Sequence, residues 1–177
     1  MRVIAGSLGG RNFSSPGGHR THPMSDKMRG AIFGVLGDIK GLTVLDAFAG
    51  SGALSFEAIS RGAKSAVAIE VDKLAHAAIA ENIKALGLSS RIKAVRAFAV
   101  AWSTRHQAEL FDLVFVDPPY DNIPYRDLKS LPRHLTDSGT LVLSWPGNME
   151  PIKFEGLVSV QAKNYGDSQL VFYQKIS

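Results

Sequence analysis

Cysteine is absent from the 177-residue chain, which excludes disulfide frameworks, thiolate zinc sites and cysteine nucleophiles. Nothing in it depends on an oxidising compartment, and a cytoplasmic protein is expected. Long apolar runs are missing too. The longest, Leu110 to Val116 (broken by Asp112) and Thr140 to Trp145, are far too short to cross a bilayer. The opening MRVIAGSLGGRNF meets polar glycines before any long apolar stretch and does not read as a signal peptide. The five histidines are dispersed at positions 19, 22, 76, 106 and 134. Only His19 and His22 lie close together, and no carboxylate cluster joins them, so no metal site is expected. Acidic residues are scarce at one end. Residues 1–30 carry Arg2, Arg11, Arg20, Lys27 and Arg29 against Asp26 alone, and the remainder is balanced, so the net charge of +4 sits there. A basic arm on a neutral body suits a polyanion approached from one end, and equally an ordinary solvated extension.

What is present suffices for one globular domain, with 45% hydrophobic residues. Residues 1–24 are rich in Gly, Ser, Pro and His and predict a basic hairpin or arm, ahead of a main domain over 25–177. Ser25 is suited to cap a helix in which Met28, Ile32, Val35 and Leu36 recur and Gly37 ends the pattern. Strands are predicted at Thr43–Ala47, Ser65–Glu70, Ile92–Arg96, Leu110–Asp117 and Gly139–Trp145. Helices are predicted at Ala53–Arg61, Lys73–Leu86, Val100–Glu109 and Tyr125–Leu135, with Pro132 disturbing the last. In the second of these, Leu74, Ala77, Ala78 and Leu86 mark the apolar face. Apolar strands separated by helices imply an α/β domain whose parallel sheet is covered on both faces. Leu157–Gln161 and Gln169–Ile176 predict an antiparallel pair finishing that sheet.

Asp46-Ala47-Phe48-Ala49-Gly50-Ser51-Gly52 joins the first strand to a helix, at the edge where open α/β sheets bind ligands. Gly50 and Gly52 would let a ligand approach the backbone. Glu70 ends the next strand, where an acid can hold two ribose hydroxyls. A dinucleotide site requires a third glycine, but that position is Ser55, and Asp46 would repel a pyrophosphate. S-adenosylmethionine, with an ammonium and a sulfonium and no phosphate, suits the acid better. A glycine turn that only closes the chain remains the plainer reading of this motif alone.

Asp117-Pro118-Pro119-Tyr120 follows the fourth strand at the same sheet edge. The exocyclic amine of a base is a poor nucleophile because its lone pair is delocalised into the ring. Asp117 and the Pro118 carbonyl can each accept one amine hydrogen and so localise that pair on nitrogen. Two successive prolines fix φ and remove competing N–H donors. Tyr120 offers a face on which an extruded base can stack. A rigid turn with a surface aromatic is the plainer alternative.

With these motifs in place, the chain resembles the RsmD-type 16S rRNA guanine-N2 methyltransferases, of the Rossmann-like class I fold. Arg2-Val3-Ile4-Ala5-Gly6 with Gly10-Arg11 is similar to the family's N-terminal hairpin, and residues 22–29 (HPMSDKMR) resemble its R-P-T-x-D-[KR]-V-R-E segment. DAFAGSGAL from Asp46 to Leu54, Glu57 to Ala63, Asp117 to Tyr120, and Tyr165-Gly166-Asp167 continue the likeness in order. The resemblance implies a mostly parallel seven-stranded sheet. It implies S-adenosylmethionine held by Asp46, Phe48, Gly50, Gly52, Glu70, Val71, Phe98 and Ala99, with chemistry at Asp117, Pro118, Pro119 and Tyr120. It implies no metal and a monomer acting on small-subunit ribosomal RNA or the assembling subunit. Arg2, Arg11, Arg20, His22, Lys27 and Arg29 are the expected RNA contacts, Arg29 foremost. The chain departs from the family pattern at His22, Met24 and Gly30. Phe98 also stands where an acid or amide usually meets adenine, so stacking and backbone groups are expected there instead.

Three other classes are weighed against this reading. A nucleotide-dependent oxidoreductase is disfavoured by Ser55 and the D-P-P-Y segment. A non-catalytic RNA-binding assembly factor has no use for that segment. A DNA adenine methyltransferase could use the same motif but lacks a separate DNA-recognition domain here.

Overall fold

The computed structural model describes residues 1–16 and 24–176. Arg20 and His22, two of the expected RNA contacts, lie outside the described residues. The elements run α1 (Asp26–Leu36), β1 (Thr43–Asp46), α2 (Ala53–Ser60), β2 (Ser65–Glu70), α3 (Lys73–Ala85), β3 (Ile92–Arg96) and α4 (Ala99–Arg105). They continue through β4 (Phe111–Val116), α5 (Tyr125–Ser130), a 3-10 turn (Pro132–His134), β5 (Leu135–Pro146), β6 (Leu157–Tyr165) and β7 (Ser168–Lys175). The sheet has seven strands in the order β3-β2-β1-β4-β5-β7-β6. Its first five are parallel and β7 is antiparallel to both neighbours. This is the Rossmann-like α/β architecture. The chain reverses direction across the sheet between β1 and β4, the switch point where such sheets open a crevice.

Two cores form because strand side chains alternate between faces. On one face, Val44, Ala66, Leu113, Phe115 and Val142 pack under Met28, Ile32 and Phe33 of α1, Phe56 of α2 and Ile79 of α3. On the other, Leu45, Val114, Val116 and Leu143 pack against Trp102 of α4 and Leu128 of α5. Helical spacing named two faces imperfectly. In α1 Phe33, edge-on to Phe115, is buried along with Met28 and Ile32, while Val35 is exposed. In α3 the buried stripe is Ala75, Ile79, Asn82 and Ile83, and Leu74 is exposed. A polar residue inside that stripe hid the true face: the Asn82 side chain brackets Ser14, accepting from its N–H at 3.0 Å and donating to its carbonyl at 2.8 Å.

Other boundaries differ for local reasons. Helix α4 stops at Arg105 because His106 folds back over Trp102, its Nδ1 2.8 Å from the Trp102 carbonyl. The predicted helix over Tyr125–Leu135 breaks at Pro132, which has no N–H to continue it. Strand β5 then starts at Leu135, and its pairing with β4 shifts register before Thr140. The final hairpin turns on Gly166-Asp167 alone, with Tyr165 paired to Ser168.

The N-terminal arm is sewn to α2, all eight residues of which are buried. Val3 and Phe13 join the first core, Phe13 edge-on to Phe56 with ring centroids 5.0 Å apart. Glu57 is fully buried, and its carboxylate accepts from the N–H groups of Ile4 (2.7 Å) and Ala5 (3.1 Å) and from Arg61 Nε (2.7 Å). Ser60 Oγ donates to the Ala5 carbonyl and accepts from Leu8 N–H. Each polar group of this helix face is thus satisfied by arm backbone, the condition for burying it.

The arm's charges divide accordingly. Arg29, the foremost RNA contact expected, is a correction: it is fully buried, and its Nη2 donates to the Arg2 carbonyl and to Asp26, both at 2.8 Å. Its place on the inner side of α1 removes it from any phosphate. Arg2, Arg11 and Lys27 are exposed. Arg2 touches Asp26 at 3.4 Å and Arg11 donates to the Ala85 carbonyl at 3.2 Å.

Replacing Glu57 with Ala leaves two arm N–H groups and Arg61 without their buried acceptor. The expected loss is about 3 kcal/mol, read as a lowered urea midpoint, with earlier proteolysis within the arm.

Candidate active site

Parallel register brings the acids together. Asp46 of β1 pairs with Phe115 of β4, so Asp117, two residues on, points from the same face of the sheet. Val116 pairs with Leu143, which sets Ser144 of β5 beside Asp117. The carboxyl ends of three adjacent strands thus present Asp46, Asp117 and Ser144 toward one crevice. Trp145, the next residue of β5, faces away. It is buried in the opposite core with Tyr125 against its ring, and its Nε1 donates to the Glu150 carbonyl. Its role is packing.

Asp46 is 1% exposed. Its Oδ2 accepts a hydrogen bond from Ser55 Oγ at 2.8 Å, and its Oδ1 has no partner. Burial pushes this carboxyl up to about 7, with the Ser55 hydroxyl opposing and the negative charges of Asp117 and Glu70 adding to the rise. Burial likewise raises Asp117 to about 6, and the Ser144 hydroxyl holds it down in part. Pro118 is buried, while Pro119 and Tyr120 are exposed at the rim. The Tyr120 hydroxyl is 2.5 Å from Ser144 Oγ.

The glycine turn is fastened to the ribose-type acid. Glu70 Oε2 accepts from Gly50 N–H at 2.7 Å and Oε1 from Asp72 N–H at 2.8 Å, and each oxygen keeps a lone pair for a ligand. The two glycines act differently. Both have positive φ, but a Cβ at Gly50 would meet open space, whereas one at Gly52 would lie 2.8 Å from the Phe56 ring. Gly50 therefore leaves the backbone open to a ligand, and Gly52 is needed for packing beneath the turn. Phe48 is half-buried within the turn.

Along the neighbouring strand ends, Val71, Leu74 and Phe98 are exposed apolar side chains. Ala97 N–H donates to the Glu70 carbonyl at 3.3 Å, which ties the Phe98 segment to the end of β2. The Ala99 methyl is buried in the second core, leaving its main chain as the part able to meet a ligand.

Sequence reasoning missed two residues. Ser55 was read only as a missing glycine, yet it anchors Asp46. Ser144 belongs to no motif, and only the register of β5 against β4 reveals it. His134, one of the dispersed histidines, is buried, with Nδ1 2.8 Å from the Glu109 carbonyl and Nε2 2.8 Å from Ser103 Oγ. Among the described residues no group of three or more His, Asp or Glu could hold a metal ion. No helix of the described residues is long and apolar enough to cross a membrane.

S-adenosylmethionine fits this donor set. The unpartnered Asp46 Oδ1 would hold its ammonium, Glu70 the ribose, and Val71, Leu74 and Phe98 the faces of the adenine. A carboxyl raised by folding binds its proton more tightly in the native state. Asp46 therefore destabilises the ligand-free protein increasingly as pH rises from about 4 through 7. A cationic ligand needs the ionised form. By calorimetry, cofactor binding is expected to tighten by up to about tenfold per pH unit below 7 and to level above it. Asp46→Asn should abolish that dependence, weaken binding, and raise the melting temperature of the ligand-free protein at pH 8.

The family model described as Conserved hypothetical protein 95 matches residues 1–174. A putative rRNA methyltransferase of Bacillus subtilis, YlbH, is 31% identical over 99% of this chain and 99% of its own length. Ribosomal RNA small subunit methyltransferase D of Escherichia coli is 33% identical over 68% of this chain and 60% of the relative. Among solved structures, a putative methyltransferase of Escherichia coli, yhhF, superposes with a TM-score of 0.86 at 27% identity, covering 99% of this chain and 97% of that one. The chain therefore belongs to the Conserved hypothetical protein 95 family, that of the RsmD-type methyltransferases.

Proposed function

We propose that the protein methylates the exocyclic N2 amine of a guanine in 16S ribosomal RNA, free or within the assembling small subunit, as a cytoplasmic monomer. The observation that carries the reading is the half-buried Asp117 at the end of β4, on the same sheet edge as the half-satisfied Asp46. The printed names of the Bacillus subtilis and Escherichia coli relatives support an rRNA substrate.

When bound, S-adenosylmethionine would supply an electrophilic methyl on its sulfonium, with the neutral thioether of S-adenosylhomocysteine as the leaving group. The residues of this chain prepare the nitrogen. Asp117, with its titration near 6, is mostly ionised at neutral pH and accepts one amine hydrogen. The Pro118 carbonyl accepts the other, so the lone pair is held on nitrogen rather than in the ring. Tyr120, at the rim, stacks on the extruded base. No strong base is required, because the methylated ammonium-like nitrogen is acidic and loses its proton to water. Positioning and exclusion of water account for the acceleration. Arg2, Arg11 and Lys27, with Arg20 and His22 of the same arm, are proposed to meet RNA phosphates.

Labelled S-adenosylmethionine incubated with small-subunit rRNA, or with assembling subunits from a strain lacking its own enzyme, tests the reading. The expected product after digestion is N2-methylguanosine at one site. Asp117→Ala is expected to lower kcat by about 10²–10³-fold with cofactor binding intact; near-full turnover in that variant would remove Asp117 from the mechanism. The salt dependence of RNA binding sorts the basic residues. Lys27→Ala should reduce the log–log slope by about 0.7–0.9, whereas Arg29→Ala should lower the melting temperature and leave the slope in place.

A further inference from the structure

Ser144 lies outside every motif, yet it bonds Tyr120 at one end of the D-P-P-Y segment and stands next to Asp117 at the other. It is 3% exposed on β5. The β4–β5 register places it beside Asp117, and its Oγ is 2.5 Å from the Tyr120 hydroxyl. We propose that Ser144 is a positioning residue that links the Asp117 carboxylate to the Tyr120 ring through one directed hydrogen-bond chain. The inference rests on the reading of Asp117 as acceptor for the target amine.

Proton counting sets the direction of the chain. An ionised carboxylate can only accept, so the single Ser144 proton goes to Asp117. The Ser144 oxygen must then accept at its other side, and the Tyr120 O–H is the donor in reach. Two consequences follow. One Asp117 lone pair is occupied by a fixed strand residue, so the carboxylate cannot rotate freely and its other oxygen stays turned to the crevice. Tyr120, exposed at the rim, is tethered at its far end, so its ring is presented in one orientation although its backbone is in a loop.

Among the described residues, few groups face Asp117. Asp46 approaches from β1, Ser144 from β5 and Tyr120 from its own loop, with Ser168 of β7 beside the Tyr120 hydroxyl. Among these, only the Ser144 hydroxyl favours the charged form of Asp117, so its removal has a readout that a packing role would not produce.

The test compares the wild-type protein with Ser144→Ala and Tyr120→Phe, all checked for folding by thermal melts. Carbon-13 carboxyl NMR follows the Asp117 titration without cofactor or RNA, and methyl transfer to small-subunit rRNA is measured against pH. In Ser144→Ala the Asp117 midpoint and the acid limb of kcat/KM are expected to move up together by about one pH unit. Tyr120→Phe keeps the ring and the Ser144 donor, so the Asp117 midpoint should hold while KM for RNA rises several-fold. An unmoved Asp117 midpoint in Ser144→Ala overturns the proposal, as does an unchanged KM in Tyr120→Phe. A wild-type protein that transfers no methyl to rRNA removes the amine-acceptor reading instead, and the NMR midpoint still decides whether the chain exists.

Discussion

Burying Asp46 at the end of β1, with the half-buried Asp117 at the end of the adjacent parallel strand, is unfavourable on two counts. Each carboxylate loses hydration, and the like charge of Asp117 adds to the difficulty of ionising Asp46. The fold offsets this with very little. Ser55 serves one oxygen of Asp46, strand register sets Ser144 next to Asp117, and the second oxygen of Asp46 is left without a partner. A crevice arranged this way is incomplete until a cation enters it. The same desolvation that makes the ligand-free site costly strengthens its attraction for an ammonium or sulfonium, because the effective dielectric is low where the charges meet.

That arrangement needs rigid strand ends, and the rest of the molecule supplies them. The apolar face beneath Asp46 and Asp117 is held by α1, α2 and α3, with Phe33 against Phe115 and Phe56 under the glycine turn. Helix α2 can be wholly buried only because the N-terminal arm lies across it and satisfies Glu57 and Ser60. The arm that carries the positive charge is therefore also a structural strap over the helix that follows the cofactor turn. Arg29 shows the division of labour: its charge is turned inward to hold Asp26 and the Arg2 carbonyl. Among the described residues of the arm and the start of α1, the outward charge is carried by Arg2, Arg11 and Lys27.

Much of this was legible in the residues themselves. Alternation of apolar runs with amphipathic stretches located the strands, because a buried parallel strand is apolar on both faces and short. Asp46, Glu70 and Asp117 were legible because each ends a strand in an α/β pattern, and such ends converge on one edge. The helix faces were less so. Asn82 is buried for its bond to Ser14, a partner nearly seventy residues away, so a pattern of apolar residues alone turned α3 toward Leu74. Arg29 was misjudged for the same kind of reason, since nothing local distinguishes an inward guanidinium from an outward one.

By itself, then, the amino-acid sequence determined the fold class, the strand ends and the identity of the acids placed on them, because those depend on local periodicity and on turn chemistry. Tertiary structure decided which groups meet those acids. Ser55 beneath Asp46 and Ser144 beside Asp117 are set by helix packing and by inter-strand register, and neither is encoded in any short stretch of chain. It also decided that Gly52 answers to Phe56 and Gly50 to open space, and that Trp145 faces the core rather than the crevice. Side-chain direction on a strand alternates with each residue, so one step of register separates a catalytic neighbour from a packing one.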